Sequence, residues 1–193
     1  MAKTLQERFD TLEKELQKPS FREGRGLANE VRYYIFDYPA AEELYVRQQV
    51  AYLQRKSEAS GDGSRILVFD LYEILLDILR QKGYLEKCFA LEQQKGFEKV
   101  STVIANRVRV NATDGLIVEY IKERIMPGST VFLTGIGKCY PIIRSHTIIN
   151  NLHLAVDSVP VVMFYPGVFS GQELILFGEI KDDNYYRAIK LAP

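Results

Sequence analysis

The stretch that decides the fold runs from Phe132 to Leu152 and reads FLTGIGKCYPIIRSHTIINNL. It opens with a short apolar run typical of a buried strand, passes through a glycine turn and then has the composition of a helix. A strand that leads through a glycine turn into a helix is the phosphate-binding unit of many α/β proteins. The stretch therefore predicts an α/β fold, and its turn is the first place to look for a site.

That turn, from Gly135 to Lys138, resembles a phosphate-binding loop but lacks two of its parts. The loop needs a glycine five residues before Gly137, and Phe132 stands there instead. It also needs Ser or Thr after the lysine to hold Mg²⁺, and Cys139 takes that place. We therefore expect a P-loop-like or Rossmann-like framework without a functional phosphate loop, which argues against a nucleotide-driven enzyme.

Composition sets further bounds on the class of protein. The 193 residues are 47% hydrophobic, which suits one domain spanning 1–193. Lys and Arg number 25 and Asp and Glu 25, so there is no basic excess of the kind that marks nucleic-acid binders. The N-terminus lacks a signal peptide's apolar segment, and no run has the ~18 apolar residues that span a bilayer. Two cysteines without C-x-x-C spacing fit reduced thiols, so we expect a cytoplasmic protein without membrane contact.

Strand-like and helix-like segments alternate along most of the chain. The strand-like segments are 31–38, 65–69, 130–134, 159–165, 174–180 and, as a sixth candidate, 187–191. Runs such as ILVF at 66–69 are apolar without alternation, as in strands buried on both faces of a parallel sheet. The pattern predicts a three-layer α/β sandwich with a mostly parallel five- to six-stranded sheet and an antiparallel edge near the C-terminus.

The predicted helices frame these strands. Residues 1–18 form an amphipathic helix that ends before Pro19, with an apolar stripe that we expect to pack on its own domain. Helices are also predicted over 40–56, over 71–83 with Asp70 as N-cap, and over 141–152. The long segment 84–126 is predicted as a helical insertion, broken near Gly96 and at 111–115.

No catalytic or metal-binding arrangement emerges from these positions. Asp37 and Asp70 lie at the C-terminal ends of predicted strands, but a single carboxylate pair is a thin basis for a metal, and capping explains Asp70. His146 and His153 lie about 10.5 Å apart on a regular helix, too far to share one Zn²⁺. Cys139 near a helix start leaves a reactive thiol as a minor alternative. We predict no catalytic residue, no metal and no cofactor.

Two groups of residues are candidates for interaction. The first surrounds the glycine turn, whose backbone N–H groups suit an anion, and comprises Gly135, Gly137, Lys138, Arg144 and Asn150. The alternative for this group is a partly buried helix whose polar side chains are satisfied.

The second group is Tyr185, Tyr186 and Arg187, which follow a polar turn at 181–184. Tyr and Arg are favoured at the centres of protein interfaces, so this group is a candidate contact for a protein partner.

Three segments, taken together, carry a resemblance. They are YIFDYP at 34–39, FLTGIGKCYPIIRSHTIINNL at 132–152, and the region from FYPG at 164–167 to KDDNYYR at 181–187. In this combination the chain resembles the BrxB family of BREX phage-defence systems. The resemblance covers nearly the whole chain and is least specific over 93–111.

The resemblance implies a small cytoplasmic component that acts with a PglZ-type protein of the alkaline-phosphatase superfamily, a large ATPase and a DNA methyltransferase. It carries over no catalytic residues, because the family has none that are well established. We therefore expect a non-enzymatic adaptor that binds the PglZ-like partner and supports host DNA methylation and phage restriction, with DNA contact weak or indirect. The alternatives are a nucleotide- or anion-sensing subunit that uses the Gly135–Lys138 turn, and a DNA-binding accessory subunit.

Overall fold

The computed structural model describes residues 3–23, 32–61, 64–182 and 188–193. The chain divides into two compact units. The first contains Met1–Val68, Ile125–Thr134 and Asp157–Pro193, and the second contains Phe69–Arg124 and Gly135–Val156. The prediction of a single domain over 1–193 stays a prediction.

The sheet confirms the predicted α/β class. Its strands are β1 (Tyr33–Tyr38), β2 (Ile66–Asp70), β3 (Thr130–Thr134), β4 (Val161–Phe169), β5 (Leu174–Leu176), β6 (Ile180–Asp182) and β7 (Ile189–Lys190). The main order is β2-β3-β4-β1-β7, and β1 pairs in parallel with both β4 and β7. β3 also pairs in parallel with β4, whereas β5 and β6 continue from β4 as an antiparallel extension. The sheet is thus mostly parallel, as predicted, but has seven described strands rather than five or six.

Most observed strands begin or end within two residues of the predicted bounds, and the larger differences lie in this extension. β4 does not end at Pro166 but continues to Phe169, where it pairs with β5. Gly167 makes this possible, because a Cβ atom there would lie 2.1 Å from the carbonyl oxygen of Ile175. The single strand predicted over 174–180 is instead β5 and β6, separated by a turn at Phe177, whose φ is +57°.

The described α-helices of the first unit are α1 (Leu5–Leu16), α2 (Pro19–Glu23) and α3 (Glu43–Ser60), and a 3-10 turn at Ala40–Glu42 precedes α3. A capping box starts α1, because the Thr4 hydroxyl accepts from the Glu7 N–H and Glu7 accepts from the Thr4 N–H. The apolar stripe of α1 buries Phe9 and Leu12 against the sheet core, which confirms that this helix packs on its own unit. Phe9 lies 4.7 Å from Phe36 of β1, measured between ring centroids.

The second unit is helical. Its helices are α4 (Leu71–Gln81), α5 (Leu85–Lys95), α6 (Phe97–Arg107), α7 (Leu116–Lys122), α8 (Ile136–Cys139) and α9 (Ser145–Ala155). The segment 84–126 thus holds three helices, and the predicted breaks at Gly96 and 111–115 fall between them. α4 has the most amphipathic sequence of this set, and its inner face buries Leu71, Ile74, Leu75, Ile78 and Leu79.

The helix predicted over 141–152 is wrong at its start. One helical turn, α8, directly follows Gly135, and the main helix α9 begins only at Ser145. Pro141 explains the interruption, because the residue before a proline is driven out of the helical region. Tyr140 is accordingly extended, with φ −68° and ψ 137°.

Candidate functional site

The glycine turn lies directly after β3, where the sequence placed it, but it is built around a neighbouring side chain. Gly135 has a φ of +77°, a left-handed conformation that side-chain-bearing residues avoid. A Cβ atom at this position would lie 2.4 Å from Oδ1 of Asp70. Both the backbone conformation and the nearby carboxylate therefore require glycine here, and the turn is closed over Asp70.

Asp70 holds this arrangement together through both carboxylate oxygens. Its Oδ1 caps α4 by accepting hydrogen bonds from the N–H groups of Tyr72 at 3.0 Å and Glu73 at 3.3 Å. This confirms the predicted cap, which is worth about 1 kcal/mol in typical helices. Its Oδ2 accepts a charge-assisted hydrogen bond from Lys138 Nζ at 2.6 Å. Asp70 therefore joins the start of one helix to the lysine that the sequence offered to an anion.

Lys138 is consequently a paired cation. Besides Asp70, its Nζ lies 3.7 Å from a carboxylate oxygen of Glu73 and 5.3 Å from the centroid of the Tyr72 ring. An incoming phosphate at this amine would have to displace one carboxylate and approach another, and like charges at such distances repel. Anion binding at Gly135, Gly137 and Lys138 stays a prediction. The pairing of Lys138 is a physical reason to rank it below binding of a protein partner.

The thiol beside the turn is buried and not activated. Cys139 is 1% exposed, and burial, with the negative charge of Asp70, raises its pKa to about 12, against a smaller opposing effect of Lys138. A thiol reacts as its thiolate, so this environment suppresses nucleophilic chemistry at neutral pH. This environment therefore gives no support to the reactive-thiol alternative, which stays a prediction.

The remaining candidates of the first group are both exposed. Arg144 precedes α9 as its N-cap residue, and Asn150 lies six residues further along the chain. Asn151, in contrast, is buried and donates a hydrogen bond to the carbonyl oxygen of Val110 at 2.9 Å. The polar residues of α9 thus include one with a clear structural role, while Arg144 and Asn150 stay available for contact.

A second polar cluster, in the first unit, centres on Asp37 at the end of β1. The carboxylate is 5% exposed and accepts hydrogen bonds from Arg8 at 2.8 Å, Lys190 at 2.7 Å and the N–H of Phe169 at 2.9 Å. Arg8 also donates to the carbonyl oxygen of Ala192 at 2.7 Å. One buried acid thereby joins α1 and the segment around β7 to β1.

Sequence reasoning noticed Asp37 but missed both of its cationic partners. Arg8 and Lys190 carry no local signal, since each is one of many charged residues in a polar segment. A charge in an otherwise apolar strand, YIFDY at 34–38, was the one available signal that a partner must exist, because a buried carboxylate needs a counter-charge. The two aspartates weighed as a metal pair are thus each engaged by cations.

No described residues form a group of three or more His, Cys, Asp or Glu side chains able to hold a metal ion. Within the described ranges, no helix is long and apolar enough to cross a membrane. The second group of candidates, Tyr185, Tyr186 and Arg187, lies outside the described residues.

The antiparallel extension carries apolar surface close in sequence to that second group. On β4, Val168 is 48% exposed and pairs across the extension with Ile175 of β5, while the flanking Phe169 is fully buried. Phe177, which follows β5, is 42% exposed. Among the described strands, β6 pairs with β5 alone, so the other edge of β6 has no described partner strand. This surface has the apolar side chains and the backbone groups that a protein partner uses.

These features define a class of protein: an α/β protein whose phosphate-loop-like turn is closed by an internal ion pair, and whose extension presents exposed apolar side chains and a strand edge without a described partner. The model of the family BREX protein BrxB matches residues 67–191, so the chain belongs to the BrxB family of BREX phage-defence systems.

Two relatives extend the match to nearly the whole chain. The BREX protein BrxB of Bacillus cereus (strain H3081.97) is 49% identical over 187 residues, which cover 97% of both chains. The BREX protein BrxB of Escherichia coli O9:H4 (strain HS) is 30% identical over 189 residues, covering 98% of this chain and 92% of the relative. No solved structure matches the chain.

Proposed function

We propose that this protein is a non-enzymatic, cytoplasmic adaptor of a BREX phage-defence complex. In this role it binds the PglZ-type partner of its own system and supports assembly with the ATPase and the methyltransferase, and hence host DNA methylation and phage restriction. Membership of the BrxB family supports the BREX assignment. The observation that favours an adaptor is the antiparallel extension, whose exposed apolar side chains and β6 edge suit a protein partner.

The extension supports this role through two independent properties. Val168 and Phe177 expose large apolar side chains that water solvates poorly, and such residues anchor interfaces when a partner covers them. β6 offers backbone donors and acceptors along one edge, which a strand of a partner can complete by β-augmentation. The candidate residues Tyr185, Tyr186 and Arg187 follow β6 within five residues of sequence, and their part in the contact stays a prediction from the sequence.

The pairing of Lys138 with Asp70 supports the adaptor over the alternative of a nucleotide sensor. A sensor needs a cation free to meet a phosphate, and this one is neutralised by a carboxylate within the same unit. The net charge of zero likewise gives no support to the DNA-binding alternative, because counterion release from phosphates requires clustered cations.

Co-expression with the PglZ-like protein of the same operon, followed by size-exclusion chromatography with light scattering, tests the proposal directly. We expect co-elution at one defined mass, which also reports the stoichiometry. Separate elution at both low and moderate salt contradicts binding to this partner, and repeating the experiment with the ATPase and the methyltransferase then tests those two as partners.

Variants locate the contact. Val168→Glu places a charge on the exposed face of the extension. We expect it to lower the affinity for the PglZ-like protein at least tenfold without unfolding the protein. Leu44→Glu is the matched control, because Leu44 is also apolar and is 71% exposed, on α3. Tyr186→Ala and Arg187→Ala test the second group, and unchanged partner affinity in both removes it from the interface.

DNA binding is separated from this role by a mobility assay. A salt-dependent shift of duplex DNA by the isolated protein supports a DNA-binding accessory. We expect no shift with micromolar protein at about 150 mM salt, which is close to the physiological ionic strength.

A further inference from the structure

The second unit contains a cleft that none of the features above uses. It lies among α4, α5 and α6 and has a volume of about 330 Å³. Its apolar lining consists of Leu79, Cys88, Leu91, Val103 and Ile104. Pockets that bind small molecules have volumes of roughly 300–1,000 Å³ and predominantly apolar walls, so this cleft falls within their range.

The sequence builds one wall of the cleft by helical periodicity. Tyr84, Lys87, Cys88 and Leu91 line it and recur at i, i+3, i+4 and i+7, which places them on one face at the start and middle of α5. A face that combines a phenol, an ammonium, a thiol and an aliphatic side chain is not a simple core face. Its composition suits a ligand with one polar end and one apolar end.

Both charged residues that line the cleft are cations. They are Lys87 on α5 and Arg107 at the end of α6, and both are exposed. Among the described residues neither forms an ion pair, although the Arg107 guanidinium lies 5.6 Å from the centroid of the Tyr84 ring. Two cations beside an apolar cavity, without a carboxylate among its lining residues, complement a negatively charged group on the ligand.

We infer that this cleft binds a small organic anion with an apolar body, such as a medium-chain or aromatic carboxylate. The anionic head contacts Lys87 and Arg107, and the apolar body lies along Leu91, Val103 and Ile104. Binding is non-covalent, because a carboxylate is not an electrophile towards the buried Cys88 thiol. The cleft shares no residue with the extension proposed for the protein partner, so each assignment is tested by its own variants.

Calorimetry with octanoate as the probe, below the concentration at which it forms micelles, tests the inference on the full chain. Octan-1-ol and octylammonium are the matched probes, since they keep the apolar body and remove or reverse the charge. We expect saturable binding of one octanoate per chain, weaker binding of the alcohol and none of the ammonium. Equal heats from octanoate and octylammonium, or no heat from octanoate, overturn the inference.

Substitutions assign the heat to this cleft. Lys87→Gln and Arg107→Gln are each expected to weaken octanoate binding by about two- to fivefold, the range that exposed ion pairs contribute. Lys95→Gln on α5 is the control, since Lys95 is exposed and does not line the cleft. Octanoate affinity that is unchanged by both cleft variants overturns the assignment.

A second measurement separates ligand binding from loss of structure and from protein docking. In Cys139→Ser, Cys88 is the single remaining thiol, and octanoate is expected to slow its alkylation by iodoacetamide. If Lys87→Gln and Arg107→Gln instead abolish co-elution with the PglZ-like protein while octanoate neither binds nor protects Cys88, the cleft is a protein interface and the small-anion inference is wrong.

Discussion

The ammonium of Lys138 lies 2.6 Å from Oδ2 of Asp70, so the one lysine of the phosphate-loop-like turn is already paired with a carboxylate. The same aspartate caps α4 and lies against Gly135. A turn whose sequence resembles a phosphate site therefore has a structural role in the second unit, where it contacts the residue that caps α4. The first prediction follows from this pairing.

Nucleotides are expected not to bind the turn. Calorimetry with ATP and GTP at millimolar concentration should give no saturable heat, because Asp70 and Glu73 repel phosphate at the amine that would have to receive it. Asp70→Asn is the informative variant, since it removes one of the repelling charges. Saturable ATP binding by the natural protein that Lys138→Gln abolishes would contradict the prediction and restore the sensor alternative.

Substituting Gly135 is expected to destabilise the protein more than substituting a glycine of similar φ in open space. Gly135→Ala combines backbone strain of about 1–2 kcal/mol with a Cβ atom at 2.4 Å from Asp70 Oδ1. Gly83→Ala is the matched control, because Gly83 has a φ of +66° and no atom within 4 Å of its Cβ position. In urea unfolding, Gly83→Ala should lower the free energy of unfolding by about 1–2 kcal/mol, and Gly135→Ala should lower it by at least about 1 kcal/mol more.

The double variant Gly135→Ala/Asp70→Ala identifies the source of that excess. If contact with the carboxylate causes the excess destabilisation, the losses in unfolding free energy from the two substitutions are less than additive. The reason is that removing the Asp70 carboxylate frees the space that the new methyl group needs. Strict additivity would show that the close approach of Asp70 and Gly135 has no energetic consequence.

Removing the buried charge at Asp37 is expected to destabilise the first unit strongly. Asp37→Asn leaves Arg8 and Lys190 without their counter-charge while keeping the side-chain volume. Breaking a buried pair costs about 3–5 kcal/mol, and the partial exposure of Lys190, at 33%, lowers our expectation to about 2–4 kcal/mol. Asp10→Asn on α1 is the control, because Asp10 is exposed, and it should change the free energy of unfolding by less than about 0.5 kcal/mol.

The two thiols are expected to differ in reactivity. Burial raises the pKa of both Cys88 and Cys139, but Cys139 is 1% exposed and Cys88 8%. At pH 8 a thiol reagent should therefore modify Cys88 slowly and Cys139 more slowly still, and denaturant should make the two rates equal. The variants Cys88→Ser and Cys139→Ser each leave one thiol, so the two rates can be measured separately. Faster modification of Cys139 than of Cys88 would show that the turn opens in solution.

The raised pKa of Cys139 also predicts a pH dependence of stability. In the unfolded chain this thiol ionises near its ordinary pKa of 9.0, whereas the folded state keeps its proton up to about 12. Between these values the unfolded state binds fewer protons, so rising pH favours unfolding. The stability of the natural protein relative to Cys139→Ala should be constant below pH 8 and fall between pH 9 and 11, as measured by urea unfolding. A stability difference between the two proteins that does not change with pH would contradict this prediction.

Local features of the sequence were sufficient for much of the fold. The apolar run at 130–134 placed β3 at its observed bounds, and the Asp70 cap was predicted from the spacing to the helix that follows. The boundaries that failed, at Pro166 and over 174–180, depend on the close approach of β5 to Gly167. Strand pairing of this kind is a non-local interaction, and propensity cannot report it.

By itself, the sequence determined the α/β class, the broken phosphate loop and the resemblance to the BrxB family, because periodicity, turn chemistry and motif spacing are written in neighbouring residues. Only the tertiary structure decided which charges meet. Lys138 pairs with an aspartate 68 positions away, and Asp37 with cations 29 and 153 positions away. Such pairs form where packing buries a carboxylate and a cation must offset its loss of water, and no local pattern records that requirement.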